Sequence, residues 1–112
     1  MTSEKDPDGL APHEAGAKLD EGKPRLGLVF SGFSAALEQV GRVGTYGSLK
    51  YTDEGWLSVS DGQARYTDAM LRHLLTEMQG EVFDVDTGLY HSAQVAWNAL
   101  ARLELQLKEE KK

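Results

Sequence analysis

The sequence predicts an all-α protein, and three of its features support this fold class. Apolar residues recur at spacings of three and four along three separate stretches, which is the period of a helix. Glycine-rich or acidic connections separate these stretches. No two segments alternate apolar and polar residues as paired strands do. We therefore expect three main helices and no sheet.

The chain begins with a segment that is poor in large apolar side chains. All three prolines, Pro7, Pro12 and Pro24, lie in this segment together with many charged residues. A stretch of this composition buries too little apolar surface to offset the entropy lost on ordering. We expect a flexible arm over residues 1–17 and a folded domain over residues 18–112.

The first two predicted helices each carry an apolar stripe. The first lies between Phe30 and Tyr46, and its stripe consists of Phe33, Leu37, Val40 and Val43. The second runs from about Gln63 to Gln79, with Asp61 as its N-cap and Gly80 as its end. The core face expected for this second helix consists of Thr67, Leu71, Leu74, Leu75 and Met78.

The third predicted helix, from about Leu89 to Lys108, is apolar around most of its circumference. Its expected core side consists of Leu89, Ala93, Ala96, Leu100, Leu103 and Leu107. Almost opposite lies a narrow polar line of His91, Asn98 and Arg102. A helix that is apolar nearly all round is normally surrounded by protein. The polar line is therefore either a solvated stripe or a wall of an active site that faces another element.

Carboxylates and histidines concentrate around the connection between the second and third helices. His73 and Glu77 are four residues apart, so their side chains share one helix face. The connection itself contains Glu81, Asp84 and Asp86, and His91 follows it. Oxygen ligands with nitrogen available suit Mg²⁺ or Mn²⁺. The alternative is an acidic loop that is simply solvated.

Composition and charge exclude several classes of protein. The 112 residues leave room for one small core, so we expect oligomerisation. The net charge of −6 argues against broad binding to duplex nucleic acid. No apolar run is long enough to span a membrane, there is no cysteine, and the polar N-terminus lacks a signal peptide's hydrophobic stretch. The expectation is a soluble cytoplasmic protein.

Several motifs of the sequence occur together in a fixed order. They are the segments Lys18–Leu26, Thr45–Tyr51 with Trp56, Arg65-Tyr66, Leu71–Leu74, Gly80-Glu81 with Asp84, Gly88-Leu89 with His91, and Ala96–Leu100. Together they resemble one family, the dATP/dGTP diphosphohydrolases, over roughly residues 17 to 107. Two features depart from the pattern: the usual carboxylate signature of MazG-type enzymes is not intact, and Gln94 stands where the family's second histidine is expected.

The resemblance implies a fold and a reaction. It implies a MazG-like helical bundle that is completed by oligomerisation, as a homodimer or homotetramer. It implies that Mg²⁺ or Mn²⁺ activates water for attack on the α-phosphorus of a purine deoxynucleoside triphosphate, dGTP or dATP, with release of pyrophosphate. Related phage enzymes make dGMP for 2-aminoadenine synthesis. The alternatives are a non-enzymatic helical interaction protein and a nucleotide-binding sensor without turnover.

The resemblance also implies roles for particular residues. The expected catalytic residues are His73 and Glu77. The expected metal ligands are Glu77, Glu81, Asp84 and His91. The expected substrate-binding residues are Lys23, Arg25, Lys50, Tyr51, Trp56, Arg72 and Asn98. Among the last group, Trp56 and Tyr51 are either stacking platforms for a purine or part of the core.

Overall fold

The computed structural model describes residues 3–111, and it is all-α as predicted. Its helices are α1 (Leu26–Gly32), α2 (Ser34–Lys50), α3 (Gly62–Met78) and α4 (His91–Glu110), with a 3-10 turn at Gly55–Ser58. Over the same residues, extended pairing is limited to an isolated antiparallel bridge between Phe83 and Tyr90. No helix within residues 3–111 combines the length and hydropathy needed to cross a bilayer.

One compact unit of the chain ends at Gly32, and Asp6 organises its turns. Asp6 is 6% exposed, and its carboxylate accepts backbone N–H bonds from Asp8 at 2.7 Å, Leu10 at 3.4 Å and Lys18 at 2.7 Å. The bond from Lys18 and those from the other two amides outweigh the effect of burial, so the pKa of Asp6 is lowered. The flexibility of residues 1–17 and the domain boundary at residue 17 stay predictions.

The second compact unit, from Phe33 onward, is built around an antiparallel pair of helices, α3 and α4. Three bonds show the direction of the pairing. Gln63 near the start of α3 bonds Glu109 near the end of α4, Thr67 bonds Arg102, and His73 bonds His91. Helix α2 packs on α4, and the 3-10 turn packs on α3.

The limits of α3 follow from backbone conformation. Asp61 precedes the helix, as predicted, and its carbonyl accepts the N–H of Arg65 at 3.1 Å. Asp61 occupies the predicted N-cap position, but its side chain makes no capping bond, and its φ of 54° places it in the left-handed region. At the other end Gly80 has a φ of 106°, which only glycine adopts without strain, and the helix stops at Met78.

An aromatic cluster joins the 3-10 turn to α3 and α4. The rings of Trp56, Tyr66 and Trp97 meet edge to face, with centroids 5.5 to 6.4 Å apart. The hydroxyl of Tyr66 donates to the carbonyl of Trp56 at 2.7 Å. Trp56 therefore has a packing role in this structure, and its stacking on a purine stays a prediction.

The helix pair meets through polar side chains, and its leucines face outward. The buried residues of α4 are His91, Ala93, Gln94, Asn98 and Ala101. In contrast, Leu100 and Leu103 are 52% and 50% exposed. Of the two alternatives left open for the polar line, the burial of His91 and Asn98 favours the one in which the line faces another element. Ala93 is buried as predicted, whereas the leucines predicted as core on α3 and α4 are mostly exposed, so this part of the prediction is wrong. On α3 the outward-facing residues are Leu71, Leu74, Leu75 and Met78.

Hydrogen bonding explains why a polar interface is tolerated. The Arg102 guanidinium donates from Nε to Thr67 Oγ1 at 2.6 Å, and Asn98 Nδ2 donates to the Gln94 carbonyl at 2.7 Å. Across the part of the chain that the structure describes, no buried side-chain nitrogen or oxygen lacks a partner. Buried polar groups that are fully paired avoid the desolvation penalty that would otherwise separate the helices.

The Asp6 carboxylate should hold the turns of the N-terminal unit together. We predict that Asp6→Ala accelerates hydrogen exchange at the amide of Lys18, measured by NMR, whereas Asp8→Ala leaves that amide protected. Because the pKa of Asp6 is lowered from 3.8, its contribution is present above that value and is lost as the pH falls through the folded pKa. Unchanged exchange at Lys18 in Asp6→Ala would contradict this role.

Candidate metal centre

Three side chains converge where the C-terminal half of α3 meets the start of α4. His73 lies on α3, His91 is the first residue of α4, and Asp84 lies in the connection between the two helices. The Nδ1 atoms of His73 and His91 are 2.9 Å apart, and His73 Nδ1 is 3.9 Å from Asp84 Oδ2. One donor atom from each of the three residues lies within 4.8 Å of the others. This spacing allows all three donors to face one ion.

The connection places Asp84 by folding back on itself. The Asp84 N–H donates to the carbonyl of Leu89 at 2.8 Å, and the Gly88 N–H donates to the carbonyl of Asp84 at 2.8 Å. Gly88 has a φ of 73°, a conformation that favours glycine. The Asp86 N–H donates to Asp84 Oδ1 at 2.9 Å, which leaves Asp84 Oδ2 directed toward the histidines.

Backbone pairing also fixes the position of His91. Its N–H donates to the carbonyl of Val82 at 3.0 Å, beside the bridge that joins Phe83 to Tyr90. The rings of those two residues pack with centroids 4.4 Å apart. The start of α4 is therefore tied to the chain that leaves α3, and this brings His91 opposite His73.

The environment sets the protonation of two members of the cluster. Burial raises the pKa of Asp84, but hydrogen bonds from Asp86 and Gln94, with the two histidines, outweigh it and lower this pKa. Burial lowers the pKa of His73; His91 and Arg72 add to this effect, which exceeds the opposing effect of Asp84. At neutral pH the carboxylate is ionised and the His73 imidazole is neutral. These are the forms that ligate metal ions.

Two further side chains support the cluster. His91 Nε2 bonds Glu81 Oε2 at 2.7 Å. Gln94 is buried, and its Nε2 donates to Asp84 Oδ2 at 3.2 Å and to Thr87 Oγ1 at 3.4 Å. Gln94 was not among the predicted site residues. The signal that pointed to it was its place in the family pattern, where a histidine is expected.

The other residues predicted on α3 and α4 lie outside the three-donor cluster. The carboxylate of Glu77 accepts a hydrogen bond from the hydroxyl of Ser92, so it joins α3 to α4 close to the cluster. Asn98 is buried and bonds the backbone of Gln94. Arg72 is exposed and follows Leu71 on α3. The roles expected of Glu77, Asn98 and Arg72 stay predictions.

The remaining predicted residues belong to other elements. Lys50 Nζ is 5.2 Å from the centroid of the Tyr51 ring. The hydrogen bond with Tyr51 raises the pKa of Lys50, and the charge of Asp86 adds to this shift, so the end of α2 lies within electrostatic range of the acidic connection. Lys23 and Arg25 belong to the N-terminal unit, where Lys23 pairs with Glu4. Their roles toward a substrate stay predictions.

The donor set fits a divalent metal ion. It offers two imidazole nitrogens and one carboxylate oxygen, and both kinds of donor atom are common metal ligands in proteins. Three protein donors leave coordination positions for water or substrate oxygens, as catalytic sites require. The residues that can hold the ion are His73, Asp84 and His91.

Comparison with known proteins identifies similar sequences. The sequence model of a family described as "dATP/dGTP diphosphohydrolase, N-terminal" matches residues 13–112. A protein named dATP/dGTP diphosphohydrolase, from Salmonella phage PMBT28, is 36% identical over 81 residues, which are 72% of this chain and 26% of that protein. The chain thus spans about a quarter of the length of this relative. No solved structure matches the chain.

Proposed function

Because the chain belongs to the dATP/dGTP diphosphohydrolase N-terminal family, we propose that it hydrolyses a purine deoxynucleoside triphosphate to the monophosphate and pyrophosphate. The expected substrates are dGTP and dATP, and the dGMP product would suit a phage that makes 2-aminoadenine nucleotides. The observation that supports this most is the convergence of His73, Asp84 and His91 within 4.8 Å. An interaction protein would have no need of such a cluster.

The proposed cofactor is a divalent cation, held by His73, Asp84 and His91. Of the two ions expected, Mn²⁺ suits the donor set better, because Mg²⁺ strongly prefers oxygen ligands. When bound, the cation supplies charge against the phosphate oxygens and activates water. Asp84 is ionised and so loses no proton when it binds the cation, whereas the neutral His73 has to carry its proton on Nε2 to bind through Nδ1.

In the proposed reaction the chain's own side chains orient the substrate and accept a proton. The oxygen of water bonds the α-phosphorus, the bond to the bridging oxygen breaks, and pyrophosphate leaves. The carboxylate of Glu77, beside the cluster through Ser92, accepts the proton of the attacking water. Before this step, positive side chains position the triphosphate. Positioning and charge stabilisation are most of what phosphoryl transfer requires of a protein.

The proposed substrate contacts come from several elements. Arg72 on α3 and Lys50 at the end of α2 supply charge near the acidic connection. Lys23 and Arg25 are also proposed to bind the triphosphate. Tyr51 is 71% exposed, so a purine can reach its ring beside Lys50, whereas Trp56 is engaged in the aromatic cluster. Asn98 is buried and would not touch the substrate directly; its hydrogen bond to the Gln94 carbonyl would help to hold Gln94 against Asp84.

The proposed activity predicts a defined product and a defined sensitivity. With Mn²⁺ the chain should convert dGTP or dATP into equal amounts of monophosphate and pyrophosphate, resolved by ion-exchange chromatography. Asp84→Asn removes a proposed ligand of the cation. Loss of a residue that only hydrogen-bonds such a ligand typically costs roughly 10- to 100-fold, so we expect Asp84→Asn to reduce the rate by more than that. Asp86→Asn, which removes a like charge from the same connection, is the matched control.

Other outcomes would distinguish the alternatives. Glu77→Gln should abolish turnover while the metal still binds; full activity in this variant would exclude Glu77 as the proton acceptor. Nucleotide binding without turnover in the wild type would favour the sensor. Two results would contradict the proposed reaction. One is cleavage of the triphosphate into a nucleoside diphosphate and orthophosphate, and the other is an equal rate for Asp84→Asn and Asp86→Asn.

We also propose that the chain assembles into a homodimer or homotetramer through its exposed leucine faces. On α4 the outward side chains Leu100, Leu103 and Leu107 are spaced to form one stripe. Two copies of the stripe in antiparallel contact about Leu103 would place Leu100 of each against Leu107 of the other, as a two-fold interface requires. Monomeric proteins rarely leave contiguous apolar faces of this kind in water.

Assembly is tested by charge substitution on α4. We expect Leu103→Lys to lower the molar mass measured by light scattering from that of an oligomer to that of a monomer, because a charge would be buried without a partner. Gln106→Lys adds the same charge to an exposed position of the same helix and should leave the oligomer intact. A wild-type monomer at micromolar concentration would contradict the proposal.

A further inference from the structure

We propose that Glu81 is a positioning residue, which holds His91 in the tautomer whose Nδ1 lone pair faces His73 and Asp84. The inference rests on the proposed metal site, but it assigns Glu81 a role different from that of a ligand. It is carried by the two bonds of one buried ring. His91 is 3% exposed, and each of its ring nitrogens makes a hydrogen bond: Nδ1 with His73 and Nε2 with Glu81.

The tautomer follows from the chemistry of the partner at Nε2. An ionised carboxylate can only accept a hydrogen bond, so at 2.7 Å from Glu81 Oε2 the Nε2 atom of His91 must carry a proton. A neutral imidazole has one N–H, and therefore Nδ1 holds a lone pair. That lone pair accepts the Nδ1–H of His73, 2.9 Å away. The same lone pair is the one that a cation between His73, Asp84 and His91 would use.

Geometry separates Glu81 from the ligand position. The two nitrogens of an imidazole point away from each other, and Glu81 lies at Nε2 whereas the three-donor cluster forms at Nδ1. A carboxylate bonded on one edge of the ring cannot reach an ion on the other edge. Glu81 therefore acts through His91, in the arrangement of carboxylate, histidine and metal that raises ligand basicity and fixes the ring.

Loss of Glu81 should have a specific effect on the ring. His91 Nε2 has no other described partner, so without the carboxylate either nitrogen can carry the proton. In molecules with the proton on Nδ1, His91 would have to return that proton to an Nε2 atom that no longer has the Glu81 carboxylate as its acceptor before a cation could bind. In the wild type only the Nδ1–H of His73 has to move, and the bond between His91 Nε2 and Glu81 is kept. His91 itself would remain in place, because its backbone bond to Val82 does not involve Glu81.

The first test is the tautomer of His91 in the metal-free protein, read from long-range proton–nitrogen NMR correlations at pH 8. We expect only Nε2–H in the wild type and in Asp86→Asn, and a mixture of tautomers in Glu81→Ala. Glu81→Gln should retain Nε2–H, because its amide oxygen still accepts. A single Nε2–H form in a helical Glu81→Ala protein would overturn the proposal.

The second test is metal binding, with Co²⁺ as the probe and its visible absorption as the signal. Glu81→Ala should weaken binding by about 10- to 100-fold and Glu81→Gln by less, whereas Asp86→Asn should bind like the wild type. In a His91→Ala background, Glu81→Ala should cause no further loss. An equal additional loss in that background would make Glu81 a direct ligand and overturn the proposal. The tautomer measurement needs neither metal nor turnover, so it stands apart from any failure of the proposed hydrolysis.

Discussion

The contact between His73 and His91 is the constraint on which the rest of the structure depends. Two imidazoles whose Nδ1 atoms lie 2.9 Å apart must share a proton or a cation, so α3 and α4 can meet in one register only. Every other bond between the two helices agrees with that register, from Thr67 with Arg102 to Gln63 with Glu109. The connection between the helices completes the arrangement by adding Asp84.

A polar interface of this kind has a consequence for the outer surface. The polar side chains of His91, Gln94 and Asn98 occupy the inward face of α4 together with two alanines, and most leucines of the same helix lie on its exposed side. The chain therefore combines a well-paired polar interior with exposed apolar faces on Leu71, Leu75, Leu100 and Leu103. In the proposed assembly those faces would be covered, and assembly would stabilise the same helix pair that holds the histidines.

The sequence was informative where structure is set locally. Spacing located α2, α3 and α4 to within a few residues. The all-round apolarity of α4 singled out the line of His91 and Asn98 but left open whether that line faces solvent or another element. Periodicity finds an apolar face but cannot tell whether the same chain covers it, so the leucine faces were predicted as core and are exposed. Helix α1 was missed because its seven residues are too few to establish a period.

The site was predicted in part for related reasons. His73, Asp84 and His91 were each singled out, but their convergence depends on a turn closed by Gly88 and by backbone bonds that no spacing rule describes. Gln94 escaped notice as a site residue because a neutral amide signals neither metal ligation nor catalysis. Asp6 was missed since its partners are backbone amides in a stretch without periodicity.

In the proposed site one divalent cation binds between α3 and α4, at the two imidazoles and Asp84. The most direct measurement is anomalous X-ray scattering from crystals of the chain grown with Mn²⁺ and a purine deoxynucleoside triphosphate. We expect a peak within coordination distance of His73 Nδ1, His91 Nδ1 and Asp84 Oδ2. A protein crystallised at saturating Mn²⁺ with no peak there, or with its metal bound elsewhere and the two histidines still sharing a hydrogen bond, would contradict it.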